Sequence, residues 1–388
     1  MDHPIFPIKN LIHSLLLAFF ALFCAEAQAT WQRCRTKHYL ILAQTPPNLT
    51  YQIAQLMEKI FAQYQRNFQA AFKKKIQGPF LLRIFQSKTS LQQYLRSIRA
   101  PTQWIGAYLR QQRELVIYGN LPLHQLRSLL LHEGLHQFLE SYIPHLPIWL
   151  NEGLAEYFGS ALVIRGKFKF GLPNLEHLAL LNKHRQTLPP IAQVMMADHP
   201  TFHRPQKEAI HYAQSWLLLH YLITKKSSLL HRLFRLLYHR QPISYPQLFG
   251  SAQRLQKALE RHLQHLLKTS GQLDFERSQR LASKGKIPSA IAALGSCLLK
   301  NPYHIPARHQ RGVLYFYQSK PRQAIQELSF VIQMGYHWPA TFYYRARSYL
   351  LLRKRKKAYQ DLLFAQKLAP QNPRIQKELK KLRHGFVQ

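Results

Sequence analysis

The chain has 388 residues, 46% of them hydrophobic and 12% aromatic, which is ample material for two or three packed domains. Its charge is lopsided: 54 Lys and Arg stand against 17 Asp and Glu, a formal net charge of +37. Such a surface is drawn to anionic partners, an anionic cell-envelope polymer among them. The basic residues are nevertheless dispersed along the whole chain, with no RNA-binding signature or zinc finger, so no specific nucleic-acid site is expected.

Residues 1–29 read as a signal peptide. Lys9 precedes an apolar run from Leu11 to Cys24, and small residues at Ala25, Ala27 and Ala29 fit a small-x-small cleavage pattern. The run is about 14 residues long, short of the roughly 20 that a spanning helix needs. Export to the periplasm or the exterior is therefore expected, with an uncleaved N-terminal membrane anchor as the alternative. Cys34 and Cys297 fall in different predicted domains and do not make a disulfide framework.

A strand is predicted over 38–44 and a long amphipathic helix over 48–71, where Ile53, Leu56, Ile60, Phe61, Tyr64 and Phe68 recur at helical spacing. A second strand follows at 80–85, a short helix at 91–98, and a hairpin of 105–109 with 114–118. The order strand, helix, strand, helix, hairpin, helix reads as α+β. It puts the hairpin directly before the helix opened by Asn120-Leu-Pro. An edge strand in that place can bind an extended peptide by adding it to the sheet.

That helix contains His132, Glu133 and His136 in the spacing H-E-x-x-H. On a helix the two imidazoles lie one turn apart on one face and both reach a single metal ion, with Glu133 beside them. Leu126, Leu129, Leu130, Leu135, Phe138 and Leu139 make it a core helix, where unpaired histidines would be costly. The turn residues Pro144 and Pro147 follow, then a second helix with Glu at its start, Glu152, sixteen residues after His136. Four of the 13 glutamates, Glu133, Glu140, Glu152 and Glu156, lie within these two helices, in a chain otherwise poor in acid.

A short strand pair is predicted over 162–170, then a mostly helical region to about residue 269, including a buried helix around Tyr212 and Trp216. From Gly271 the sequence repeats with a period of 34, in units starting at Gly271, Ile305 and Pro339. The eighth position of each unit is small (Ser278, Gly312, Ala346), the twentieth is Ala290, Ala324 and Ala358, and the position seven later is Cys297, Val331 and Ala365. Small residues at these places let paired helices approach closely. Residues 271–372 resemble the tetratricopeptide repeat, with 374–383 as a capping helix. The middle unit departs from the pattern with Tyr336 where Pro302 and Pro370 close the others. At the turn glycine only Gly285 conforms; Ser319 and Arg353 replace it.

Residues 131–158 resemble the gluzincin metallopeptidases, the peptidase MA-like group, in H-E-x-x-H followed by the Asn151-Glu152-Gly153 segment. The resemblance implies a zincin-like α+β domain over 30–270, strand-rich over 37–120 and helical over 121–270, followed by the all-α repeat solenoid over 271–385. It implies one zinc ion on His132, His136 and Glu152, with the fourth tetrahedral position left for water. Glu133 would be the general base, acting on a peptide or protein substrate. Glu156 would orient a ligand imidazole, the alternative being a solvated helix residue. Relatives take an oxyanion donor from a Tyr or His well downstream, which points to Tyr212 with His211 behind it; the alternative is that Tyr212 only packs beside Trp216. His124, His145 and His220 have no partner spacing and read as structural or exposed. With its repeats the chain looks like a family of exported bacterial proteins of uncharacterised activity. The expectation is an exported zinc metallopeptidase whose repeats bind a protein partner. The competing reading is an inactive zinc-containing scaffold acting through the repeats and the basic surface.

Overall fold

The computed structural model describes residues 31–68, 72 and 78–384; the expected signal peptide lies outside them. The protein is mostly helical, with a small sheet in its N-terminal part. Strand β1 (Gln32–Arg35), which the sequence did not announce, pairs antiparallel with β2 (Tyr39–Ala43). Helix α1 (Pro47–Phe68) crosses to β3 (Phe80–Phe85), parallel to β2. Helix α2 (Lys88–Ser97) then leads into the hairpin of β4 (Gly106–Leu109) and β5 (Glu114–Tyr118). β5 inserts parallel beside β3, so the sheet order is β1-β2-β3-β5-β4 and β4 is left at the edge.

The parallel centre refines the α+β expectation, and the reason is packing on both faces. Ile41, Leu82, Ile84, Leu115 and Ile117 join the main core, which includes Ile53, Met57, Ile60, Phe61 and Tyr64 of α1. The alternate residues Phe85, Leu109 and Val116 close on Leu91 and Leu95 of α2.

Helix α3 (Leu123–Glu140) packs against α1, burying Leu126, Leu130, Leu131, Leu135 and Phe138. The buried Tyr64 hydroxyl donates to the Leu131 carbonyl at 2.7 Å. A Cβ on Gly106 would stand 2.7 Å from Leu129 Cδ2, so a larger residue there would displace the Leu129 side chain that joins the edge strand to α3. Helix α4 (Ile148–Gly159) starts four residues before the predicted Glu152, because the chain is already turned by Pro147 and Trp149 is already fully buried. Glu152 therefore sits in the second turn of α4.

The short hairpin β6 (Leu162–Ile164) and β7 (Lys167–Lys169) follows, turning through Arg165 and Gly166 at φ 49° and 77°, as a two-residue hairpin loop requires. The helical region comprises α5 (Leu175–Lys183), α6 (Ile191–Met196), α7 (His199–Phe202), α8 (Glu208–Lys225), α9 (Ser227–Tyr238), α10 (Tyr245–Phe249) and α11 (Ala252–Thr269).

The tetratricopeptide-type repeats form three helical hairpins: α12 (Gln272–Ser283) with α13 (Ile287–Lys300), α14 (Ile305–Tyr317) with α15 (Pro321–Gln333), and α16 (Pro339–Leu351) with α17 (Arg355–Leu368). Helix α18 (Pro373–His384) caps them. Ala290, Ala324, Ala358, Ser278 and Ala346 are all fully buried, as their small size at close helix crossings demands. The turn between paired helices is left-handed in every unit: Gly285 at φ 70°, but also Ser319 at 55° and Arg353 at 56°. The repeat geometry thus overrides the residue preference at two of the three turns. Cys34 and Cys297 are both free thiols, and Cys297 is buried at a helix crossing.

Candidate metal centre

Helix α3 presents His132 and His136 one turn apart, with ring centroids 4.9 Å apart and planes at 81°. The chain folds back between Ser141 and Pro147, and α4 brings Glu152 up to them. Glu152 Oε2 lies 3.5 Å from His132 Nε2 and 3.6 Å from His136 Nε2. One ligand atom from each residue falls within 4.8 Å of the others, the one such group of three among the described residues. A tetrahedral zinc with bonds of ~2.0–2.1 Å sets its donors about 3.4 Å apart, so two imidazole nitrogens and one carboxylate oxygen at these distances fit that ion.

Glycine makes the approach of α4 work. A Cβ on Gly153 would stand 2.7 Å from the Ser215 carbonyl of α8, so the residue after Glu152 must be glycine for the two helices to touch backbone to backbone. Gly159, at the end of α4, lies beside His132, where an added Cβ would reach only ordinary contact, 3.4 Å from His132 Cβ.

Carboxylates dominate the field here. Burial alone would push the His132 imidazole down, but Glu152, Glu133 and Glu156 outweigh it and hold the group up at about 9. Burial would raise the Glu152 carboxyl, yet His136 and His132 pull it down to about 2. Elsewhere the scarce acids meet cations: Glu114 meets Arg83, Glu140 meets Arg110, and Asp361 meets Arg345. Glu133 instead accepts its hydrogen bond from the backbone N–H of Tyr108 on β4, at 2.9 Å from Oε2.

Glu156 lies one turn beyond Glu152. Its Oε1 is 3.4 Å from His132 Nδ1, and its Oε2 accepts from His177 Nε2 at 2.8 Å. His177, on α5, was not singled out by the sequence. Burial would raise Glu156, but the hydrogen bond from His177 and the charges of His132 and His177 keep it below the usual carboxylate range. His136 has no such support: its Nδ1 is buried without a partner.

Tyr212 on α8 is half-buried near the cluster. Burial first, then the carboxylates of Glu152, Glu208, Glu133 and Glu156, push its hydroxyl well above the usual phenol value, so it stays protonated. His211 is turned away, its Nδ1 donating to the Phe202 carbonyl at 2.8 Å. The neighbour sequence reasoning missed is His203, whose Nδ1 donates to Glu208 at 2.9 Å, whose ring is 5.9 Å from Tyr212, and whose charge acts on Glu152. His203 precedes α8, and no local spacing tied it to the motif. Of the histidines set aside, His145 is exposed and His220 pairs with His262 at 2.9 Å. His124 contacts the repeats.

Residues 127–244 match the model of a family described as "Protein of unknown function (DUF1570)". The matched 118 residues run from α3 past α9 and contain the clustered His132, His136 and Glu152 together with Glu133, Glu156, His177, His203 and Tyr212. No curated protein matches the chain. Among solved structures, the first tetratricopeptide domain of Spaghetti (RPAP3) bound to an HSP90 peptide is 19% identical, with a TM-score of 0.30, covering 31% of this chain and 94% of that one. The second such domain of human RPAP3, in complex with an HSP70 peptide, is 21% identical with a TM-score of 0.28, covering 31% and 97%. The tetratricopeptide domain of P58(IPK) is 15% identical with a TM-score of 0.32, covering 69% and 80%.

Proposed function

We propose that the protein is a zinc-dependent metallohydrolase of gluzincin type that cleaves peptide bonds. The observation that carries this reading is the convergence of His132, His136 and Glu152 within 4.8 Å, with Glu152 at tetrahedral donor spacing from both imidazoles, and with Glu133 on the next residue held by the edge strand beside it. Zinc held by these three residues would supply a water ligand acidified toward neutrality and a Lewis acid for the substrate carbonyl.

The chain's own groups do the rest. Glu133 has Oε2 engaged by the Tyr108 N–H, which fixes the carboxylate and leaves Oε1 to take the proton of the attacking water. As the C–N bond breaks, the same carboxylate returns that proton to the leaving amine. Tyr212, kept protonated by its surroundings, and His203, oriented by Glu208, are the donors for the developing oxyanion. Glu156 and His177 hold the His132 ring in its ligating orientation.

The repeats bind a protein partner in this reading, since stacked helical hairpins build extended concave surfaces. Export through residues 1–29 completes it; no described helix is long and apolar enough to cross a membrane.

The decisive experiment measures zinc by mass spectrometry and turnover on an unbiased peptide library, for the wild type and Glu133→Gln. The wild type should hold about one zinc per chain, and the variant should keep the metal while losing ~10²–10⁴-fold in rate. Undiminished cleavage by Glu133→Gln overturns the assignment of the base, and bound zinc with no cleavage of any peptide leaves the scaffold reading in its place.

A further inference from the structure

The metal centre opens on a cleft of about 630 Å³ whose two walls come from different parts of the chain. One wall carries His132 and Glu133 with Ile105 and Leu129. The opposite wall is made by the repeats: the turn after α13 contributes Tyr303, and the turn after α15 contributes Met334, Tyr336 and Trp338.

That second wall is fixed against the first. His124 of α3 donates to the Gly335 carbonyl at 3.1 Å and stacks on Tyr336 with ring centroids 4.4 Å apart. Gly335 turns at φ 87°, and a Cβ there would meet Arg127 Nη2 at 2.5 Å. Leu162 and Ile164 of the β6–β7 hairpin pack on Ile305, Val331 and Met334, while Lys169 Nζ sits 4.8 Å above the Tyr303 ring. The middle unit's departure from the repeat pattern acquires a reason here. Tyr336 stands where the other units have Pro302 and Pro370, and a proline could not stack on His124 in this way.

We propose that these repeat turns form a substrate subsite, and that the cleft takes an extended peptide with a large apolar side chain seated against Tyr303, Tyr336 and Trp338. The peptide nature of the occupant rests on the peptidase reading. The edge strand supplies the track. Ile105 accepts through its carbonyl from the Tyr118 N–H at 2.8 Å, so the backbone of Gly106, next along the strand, faces away from β5, while the outward N–H of Tyr108 is already taken by Glu133. A chain added there runs in the cleft and sends alternate side chains to its walls. Ile105, 41% exposed, already lies in the cleft just ahead of β4. The apolar side chains of the lining are interspersed with polar ones, among them Gln125, Arg127, Ser128, Asn174, Glu176 and Asn301, which can fix a bound backbone beside a seated apolar side chain. The repeats are then part of the substrate site, not only a separate docking module.

The test uses the full chain carrying Glu133→Gln and fluorescein-labelled, end-blocked hexapeptide pools with Phe, Leu, Glu or Gly fixed at one position. Anisotropy should show the Phe and Leu pools binding about tenfold or more tighter than Gly and Glu, the ratio for burying one large apolar side chain. Trp338→Ala should erase that preference and Trp338→Phe should restore it. Tyr303→Ala, at a half-exposed turn, serves if Trp338→Ala does not fold, as judged by zinc content and circular dichroism. Equal binding of all pools, no binding of any, or a preference unchanged in folded Trp338→Ala or Tyr303→Ala overturns the proposal. Zinc content and cleavage of the same pools by the unsubstituted chain are measured in parallel. A Trp338-dependent preference without cleavage removes the peptidase reading and supports the subsite, whereas cleavage with selectivity indifferent to Trp338 does the reverse.

Discussion

In the α3–α4 pair, the half-buried His132 sits among Glu133, Glu152 and Glu156, and those carboxylates outweigh desolvation and raise its imidazole to about 9. In the repeats, the buried His304 and the half-buried His309 have no carboxylate to oppose desolvation, and each is pushed down to about 4. One residue type is thus driven in opposite directions by where a few acids are placed, in a chain with 17 acids and 54 Lys and Arg. The acids at the first site favour positive charge on His132; the apolar setting of the second keeps its imidazoles neutral. His304 shows what neutral histidine does there: its Nδ1 accepts from the Ala307 N–H at 3.2 Å and caps α14.

The sharpest break of this contrast is removal of a ligand. His132→Ala and Glu152→Ala should each abolish stoichiometric zinc binding while circular dichroism keeps the helical signal of the repeats. A full complement of zinc in either variant means the metal, if bound, sits elsewhere.

Acid should separate the two regions next. The folded value of His304, about 4, lies below its ordinary 6.5, so folding favours the neutral form. Its contribution is intact above pH 6.5 and is lost as pH falls toward 4, by up to ~3 kcal/mol. His309 acts in the same window and direction. Hydrogen exchange should show the amides at the start of α14 losing protection between pH 6.5 and 4, and His304→Asn, which caps without titrating, should blunt the step. Protection that does not change across that window would show that His304 titrates as it does in an unfolded chain.

The smallest effect belongs to the group behind the ligand. Glu156→Gln removes the charge between His132 and His177 and should weaken zinc affinity ~10–100-fold, measured by competition with a chelator. An unchanged affinity would make Glu156 the solvated helix residue of the alternative reading.

Much of the centre was legible because its grammar is local. His132, Glu133 and His136 share one helix, so a spacing of four residues places them on one face whatever surrounds them. Glu152 follows within a prolyl turn, and Glu156 one turn later. The repeats were legible for the same kind of reason: each hairpin contacts mainly its neighbours, so a 34-residue period carries their packing.

The groups the sequence did not show are those brought in across long separations. His177 reaches Glu156 from 21 residues away, and His203 acts on Glu152 only because α8 and the loop before it fold back onto α4. The parallel pairing of β2, β3 and β5, and β4's place at the edge, depend on which faces α1 and α2 cover.

By itself, then, the sequence determined the two helices that bring His132, His136 and Glu152 together and the helical repeats, since hydrophobic period, proline turns and small residues act over one or two helical turns. Only the tertiary structure decided that Tyr336 stacks on His124 and that two repeat turns wall the cleft. That contact joins residues more than two hundred positions apart, and it is selected by the fit of buried surfaces, which leaves no period in the sequence to read.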